Sequence, residues 1–270
     1  MTKPDGQLRF RMPMVFGPSA GPRQGPDGRP FDMREAARTT TTVSFLTDAR
    51  RLIALLPPGC TLDGEPVVTV EHCVLHRLEW LAGRSYTLLA VKFPVSYRGV
   101  KDAVRGPFMS VLWENRVEPI LTGREELGYP KLFCELPGAR ELHGVREFDA
   151  MLDGHIFIRL RVANLIAAEP PTEAKADGLL LHRYLPGLEP GGAAAVDEMV
   201  LSPFTTNITR YTAFWRGTGS VEFIHSRWEQ LPTSFHIVNA LADLPVIEPR
   251  GATLAETLGA KDLADTRLLA

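Results

Sequence analysis

Lys131 lies in the stretch GREELGYPKLFCEL, residues 123–136, and is one of six lysines in a chain that otherwise uses arginine for positive charge. A lysine amine attacks a carbonyl carbon only when unprotonated, so near neutral pH its pKa must fall several units from the free value of about 10.4. Burial does this, and so does a neighbouring cation. Gly128, Tyr129 and Pro130 form a rigid turn that can aim one side chain, and Leu132, Phe133 and Cys134 supply an apolar surrounding. The residues alone leave two readings open. Lys131 is either an exposed charge beside a turn, the common fate of lysine, or a desolvated nucleophile that forms an imine. Tyr129 either packs or transfers a proton. Glu125 fits an ion pair with Arg124 or a turn cap better than catalysis.

Other chemistries lack the residues they need. No Ser, His and Asp constellation stands out, and the glycines of WRGTGSVEF do not open a helix after a strand, so RGTGS reads as a turn and not as a dinucleotide site. The seven histidines include His72 and His76 on one strand, too far apart along it for easy joint ligation, and no metal site is expected. Cys60, Cys73 and Cys134 are odd in number and lack CxxC spacing, which suits reduced, buried thiols. A formal net charge of −2 gives no footprint for nucleic acid or an anionic membrane. The start of the sequence has no signal-peptide core, and no run is apolar enough to span a bilayer. A cytoplasmic protein acting on a small molecule, or assembling with itself, is expected.

The elements that must position Lys131 are mostly strands. Residues 1–33 are rich in Pro, Gly and Arg, with one apolar cluster at Met12, Met14, Val15 and Phe16, and read as an extended arm. Residues 34–270 read as a single domain. RTTTTVSFLTD suits a strand, after which Asp48 starts the short helix DARRLIALL, ended by Pro57 and Pro58. From PVVTVEHCVLHRL to SVEFI, strand patterns follow one another between Gly and Pro breaks. This predicts a mainly β (α+β) fold: a curved antiparallel sheet, or a closed β-barrel or cone, with a few short helices. RGATLAETLGAKDLADTRLLA has helical spacing and is expected to cap the body. AEPPTEAKADG reads as a surface loop.

GRE followed by YPK and an apolar segment resembles the active-site signature of the acetoacetate decarboxylase superfamily, in which the lysine of YPK forms a Schiff base with a keto acid. VSFLTDARRLIALLP, GEPVVTVE, FPVSYRGV and NALADLPV are similar to further family segments in the same order, from about residue 38 to residue 246. The resemblance implies that Lys131 is the nucleophile and that Glu71 matches a family glutamate. It implies that Arg38, or failing it Arg34, matches an arginine that binds the substrate carboxylate. It also implies a homo-oligomer, dimer or tetramer, and no cofactor, because the imine is itself the electron sink.

Two positions depart from the family pattern. Leu132 stands where the decarboxylases carry a second lysine, so activation of Lys131 has to come from burial, with Phe133 and neighbouring strands as walls. Leu88 stands where they carry another glutamate. Both losses remove parts of a decarboxylase arrangement and keep imine chemistry, which favours aldol condensation and dehydration of pyruvate with an aldehyde. Glu71 and Tyr129 are then the candidate proton carriers, with Leu88, Leu132 and Phe133 beside the substrate. Decarboxylation of acetoacetate or a related β-keto acid is the alternative, and a non-catalytic barrel that binds a hydrophobic keto compound is the third.

Overall fold

The computed structural model describes residues 8–172, 176–205, 207–261 and 263–270. In chain order the strands are β1 (Ala37–Leu46), β2 (Cys60–Leu62), β3 (Val67–Leu78), β4 (Arg84–Arg98), β5 (Ala103–Glu114), β6 (Lys131–Phe133) and β7 (Arg140–Leu142). They continue with β8 (Val145–Leu152), β9 (His155–Ala167), β10 (Gly178–Leu185), β11 (Val196–Pro203), β12 (Arg210–Phe223), β13 (Glu248–Leu258) and β14 (Arg267–Leu268). All belong to one sheet in the order β14-β11-β10-β5-β4-β3-β1-β13-β12-β9-β8-β7, with β2 beside β4 and β6 beside β5.

The fold is mainly β with a few short helices, as the sequence predicts, but of the arrangements it allows the closed antiparallel barrel is not the one formed. Among the described residues it is open, its path ending at β14 and β7, and it is mixed. β5 pairs in parallel with β10 near Phe108 and with β6 from Leu112 to Glu114, so two strands share its outer edge. The second of these pairings sets Lys131 beside Leu112.

Alternation along the strands divides the sheet into two faces. Val43, Val70, Leu89, Val91 and Trp113 point into the main core, which the helix α3 (Phe235–Ala242) helps cover with Val238 and Leu241. Full burial of side chains such as Leu89 and Phe157 contributes about 1.5–3 kcal/mol each. The opposite face carries Arg38, Glu71, Leu88, Lys92 and Glu114, which border one cavity. Leu75 and Leu78 both reach that cavity although three residues apart, because β3 breaks register between them and Arg77 adopts a left-handed φ of 45°.

The helix α1 (Ala49–Ile53) begins as expected, with the Asp48 carboxylate accepting from the Arg51 N–H. Two expectations fail. Residues 248–258 form β13 and not a helix, since this segment lies between β1 and β12 and satisfies both edges through sheet hydrogen bonds. Helical spacing of Ala and Leu is outweighed by that pairing. RGTGS lies inside β12, where a Cβ at Gly219 would meet Val43 Cγ2 at 2.7 Å and the Ala252 Cβ at 2.8 Å. These glycines permit close approach within the sheet and do not turn the chain. Of the expected AEPPTEAKADG loop, the described residues are irregular up to Gly178, while 173–175 lie outside the described residues.

Candidate active site

Between β5 and β6 the chain makes a compact helical excursion, α2 (Val117–Thr122) followed by a π-turn at Gly123–Leu127. Gly128 ends it in a left-handed conformation with φ 80°, which glycine adopts without strain. The Tyr129 N–H donates to the Gly123 carbonyl at 3.0 Å, and Arg124 Nη1 donates to the Lys131 carbonyl at 2.8 Å. Of the two roles open to Glu125, ion pair or turn cap, the pair with Arg124 gives way to a clamp of that arginine on the Lys131 backbone. Gly123 leaves space for the lysine itself: a Cβ there would overlap Lys131 Cε and Cδ and stand 2.7 Å from Nζ.

Lys131 is 7% exposed and its amine is turned inward. Nζ donates to the Pro119 carbonyl at 3.0 Å and stands 2.9 Å from Glu114 Oε1, at an angle unsuited to a directed hydrogen bond. Glu114 is fully buried, and its Oε2 has no hydrogen-bond partner among the described residues. Burial raises the Glu114 carboxyl above its ordinary range, although the lysine charge opposes that shift. The Tyr129 ring lies 5.3 Å from Nζ. Its hydroxyl is 3.4 Å from Ser202 Oγ, and burial pushes the phenol up, so it remains protonated.

Lys131 and Glu114 open onto a cavity of about 250 Å³. Its walls are mostly apolar, with Leu75, Leu78, Trp80, Tyr86, Leu88 and Leu112 among them. Charge gathers elsewhere in its lining, where Lys92 Nζ donates to Glu71 Oε2 at 2.7 Å. Burial works to raise the Glu71 carboxyl, but Lys92 and Arg38 together outweigh it and hold the group below its ordinary range. Arg38 borders the same cavity, and its buried Nε has no hydrogen-bond partner among the described residues. The arm contributes Pro22 and Met33 to the lining and is tied down by Arg11, whose Nη1 donates to Glu126 Oε1 at 2.8 Å.

The structure thus brings together Lys131, Tyr129, Glu71, Arg38 and Leu88 around one cavity. Leu132 and Phe133 do not join them. Leu132 packs on the main core from the other side of β6, and Phe133 is 49% exposed. Alternation along a strand that starts at Lys131 sends its neighbour away from the site. Arg34 is exposed and paired with Asp32 at 2.7 Å, which leaves Arg38 as the arginine of the cavity. Glu114 was not singled out by the sequence reading. In PFMSVLWEN it looks like the solvated end of a strand, and the only signal was its place two residues after Leu112, on the same strand face. Among the described residues no group of three or more His, Cys, Asp or Glu is placed to hold a metal ion, and no helix is long and apolar enough to cross a membrane.

The fold is shared with solved enzymes of low sequence identity. Acetoacetate decarboxylase from Legionella pneumophila superposes with a TM-score of 0.63 at 18% identity, covering 90% of this chain and 88% of that one. The enduracididine biosynthesis enzyme MppR, solved with the condensation product of pyruvate and imidazole 4-carboxaldehyde, gives 0.63 at 14% identity, covering 87% and 88%. An acetoacetate decarboxylase-like enzyme from Sphingomonas wittichii RW1 gives 0.60 at 20% identity, covering 86% and 93%. No curated protein sequence is significantly similar to this chain. The model of the acetoacetate decarboxylase family matches residues 11–259, nearly the whole length that carries the sheet and its cavity, and the chain belongs to that family.

Proposed function

We propose that the protein is a Schiff-base-forming lyase in which Lys131 condenses with a small 2-keto acid, such as pyruvate, and the resulting enamine adds to an aldehyde. The observation that carries this reading is the buried Lys131 amine facing the same cavity as Arg38, whose buried Nε has no hydrogen-bond partner among the described residues. Arg38 is the anchor for the carboxylate, because two other cations of the lining, Lys92 and Lys261, are paired with Glu71 and Asp265. The amine attacks the ketone carbon, water leaves, and the protonated imine draws electrons from the adjacent carbon. Loss of a proton there gives the enamine, whose carbon attacks the aldehyde. Loss of a second water gives an unsaturated keto acid, and hydrolysis of the imine releases it. Tyr129, protonated and at the cavity wall, is available as an acid, and Glu71 as an ionised base. Leu88 and the leucines around it accommodate an apolar substituent of the aldehyde.

The second reading is decarboxylation of acetoacetate or a related β-keto acid, favoured by the family match itself. In both readings the enzyme acts as a cytoplasmic homo-oligomer, dimer or tetramer, in which a second copy covers exposed Met12, Val15 and Phe16, and light scattering measures that assembly. Incubation with pyruvate or acetoacetate, borohydride reduction and peptide mass mapping tests the chemistry. A mass increment at Lys131 is expected. Product from pyruvate and an aldehyde supports condensation, carbon dioxide from acetoacetate supports decarboxylation, and no adduct with either leaves only a non-catalytic binder.

A further inference from the structure

We propose that Glu114 is the catalytic acid and base of imine formation at Lys131, shuttling protons between the amine nitrogen and the departing carbonyl oxygen. This assignment rests on the Schiff-base reading above. Three observations carry it. Glu114 Oε1 is 2.9 Å from Lys131 Nζ, whereas Glu71 and Lys131 sit at opposite ends of a register row that runs Glu71, Ala90, Leu112, Lys131. Those three strand spacings amount to roughly 14 Å along the sheet. Secondly, Oε2 is buried with no partner among the described residues, which is costly unless something else comes to share it. Thirdly, Glu71 is engaged by Lys92, so it is not free to exchange protons with a distant amine.

The step balances with this pair alone. The step starts from amine and carboxylic acid, reached when one proton passes from Nζ to the carboxylate across the 2.9 Å contact. The amine lone pair bonds to the ketone carbon and the C=O π pair moves to oxygen, which takes the proton of Glu114. The nitrogen, now NH2⁺, returns one proton to the carboxylate. The nitrogen lone pair then forms C=N, and the hydroxyl leaves with the Glu114 proton as water. Amine, carboxylic acid and ketone become protonated imine, carboxylate and water. The product is again an ion pair at the observed contact, which stabilises the cation on which later steps depend.

The test is the rate of imine formation at saturating pyruvate, followed by rapid borohydride quench and mass mapping at Lys131, across pH. Glu114→Gln keeps the shape, and it is expected to slow trapping by about 10²–10⁴-fold and to remove the titration of this carboxyl from the pH–rate profile. A Glu114→Gln protein that traps pyruvate within threefold of the parent rate overturns the assignment while leaving the Schiff-base reading standing. No adduct in the parent protein overturns both. Leu88 faces Glu114 across β4 and β5 in register, so its side chain occupies the adjoining position on the cavity face. The double variant Leu88→Glu/Glu114→Leu therefore returns a carboxylate to the amine from the neighbouring strand. Recovery of trapping over Glu114→Leu supports a proton-transfer role, and a folded double variant as slow as Glu114→Leu counts against it.

Discussion

Glu71 and Glu114 are carboxylates on one cavity, yet the protein drives them in opposite directions. Glu71 has Lys92 at 2.7 Å and Arg38 close enough to act on it, and these cations overcome its burial and hold it ionised. Glu114 has one cation, Lys131, and burial prevails over that charge. Opposite shifts on paired titratable groups mark a division of roles. The cation-rich part of the cavity suits holding a substrate carboxylate, with Glu71 as an ionised base for the later carbon step, and the Glu114 part suits moving protons during imine formation. The contrast arises from chain register: Glu71 belongs to β3, while Glu114 closes β5 opposite the parallel strand that begins with Lys131.

Removing the lysine breaks the proton-moving side outright. Lys131→Met is expected to abolish the borohydride-trapped adduct, and with no cation left to oppose burial the Glu114 carboxyl should rise further. Infrared difference spectra of Lys131→Met against Lys131→Met/Glu114→Gln would show a protonated carboxyl band at neutral pH, and its absence would mean that burial does not govern Glu114. Gly123→Ala disturbs the same side without touching its chemistry. The added methyl must push Nζ off its position, and displacement of a reacting atom by about 1 Å costs roughly 10²-fold in rate. Alanine favours helix over glycine by about 1 kcal/mol, so thermal melting should change little while trapping collapses.

The other side is tested through Arg38. Arg38→Gln removes the cation left over after Lys92 and Glu71 pair, and a lost charge-assisted hydrogen bond of about 1.5–3 kcal/mol raises KM about 10- to 100-fold. The turnover number should change much less. Steady-state kinetics on the Arg38 and Glu114 variants then sharpen the division: Arg38→Gln should act on KM and Glu114→Gln on kcat. If both variants alter the same parameter by similar amounts, the two parts of the cavity do not have separate roles.

Much of this arrangement was legible in the sequence because it depends on local pattern. Strand alternation, the Asp48 cap and the GRE–YPK spacing are short-range signals, and they located the strands, the first helix and Lys131. What escaped depends on pairing between distant segments. Residues 252–258 carry Ala and Leu at positions that suit a helix or a strand, and only the neighbouring β1 and β12 decide between them. Glu114 escaped for the same reason: nothing near it in sequence reveals that β6 returns parallel to β5 and delivers Lys131 to it. Leu132 and Phe133 were placed beside the substrate by proximity in sequence, and alternation along β6 sent Leu132 to the opposite face.

The smallest expected effect comes from the residue next to Glu71, which controls for acid-induced losses that have nothing to do with the cavity. His72 points to the other face of β3, is 3% exposed, and its ring lies 4.2 Å from that of Phe148. Burial, reinforced by the charge of Arg146, lowers its pKa from the ordinary 6.5 to about 4. Above pH 6.5 the ring is neutral whether folded or unfolded, and its environment contributes in full. As pH falls from 6.5 toward 4 the unfolded chain takes up a proton that the folded protein does not, so stability is lost across that window. At 1.36 kcal/mol per unit this amounts to about 3 kcal/mol. Urea denaturation at pH 7 and pH 4.5 should show the loss in the parent and a smaller one in His72→Phe, whose trapping rate at Lys131 should be close to the parent's. An equal loss in both proteins would shift the acid sensitivity to the carboxylates of the cavity, and the low-pH behaviour of Glu71 and Glu114 would then have to be separated from unfolding before their roles are compared.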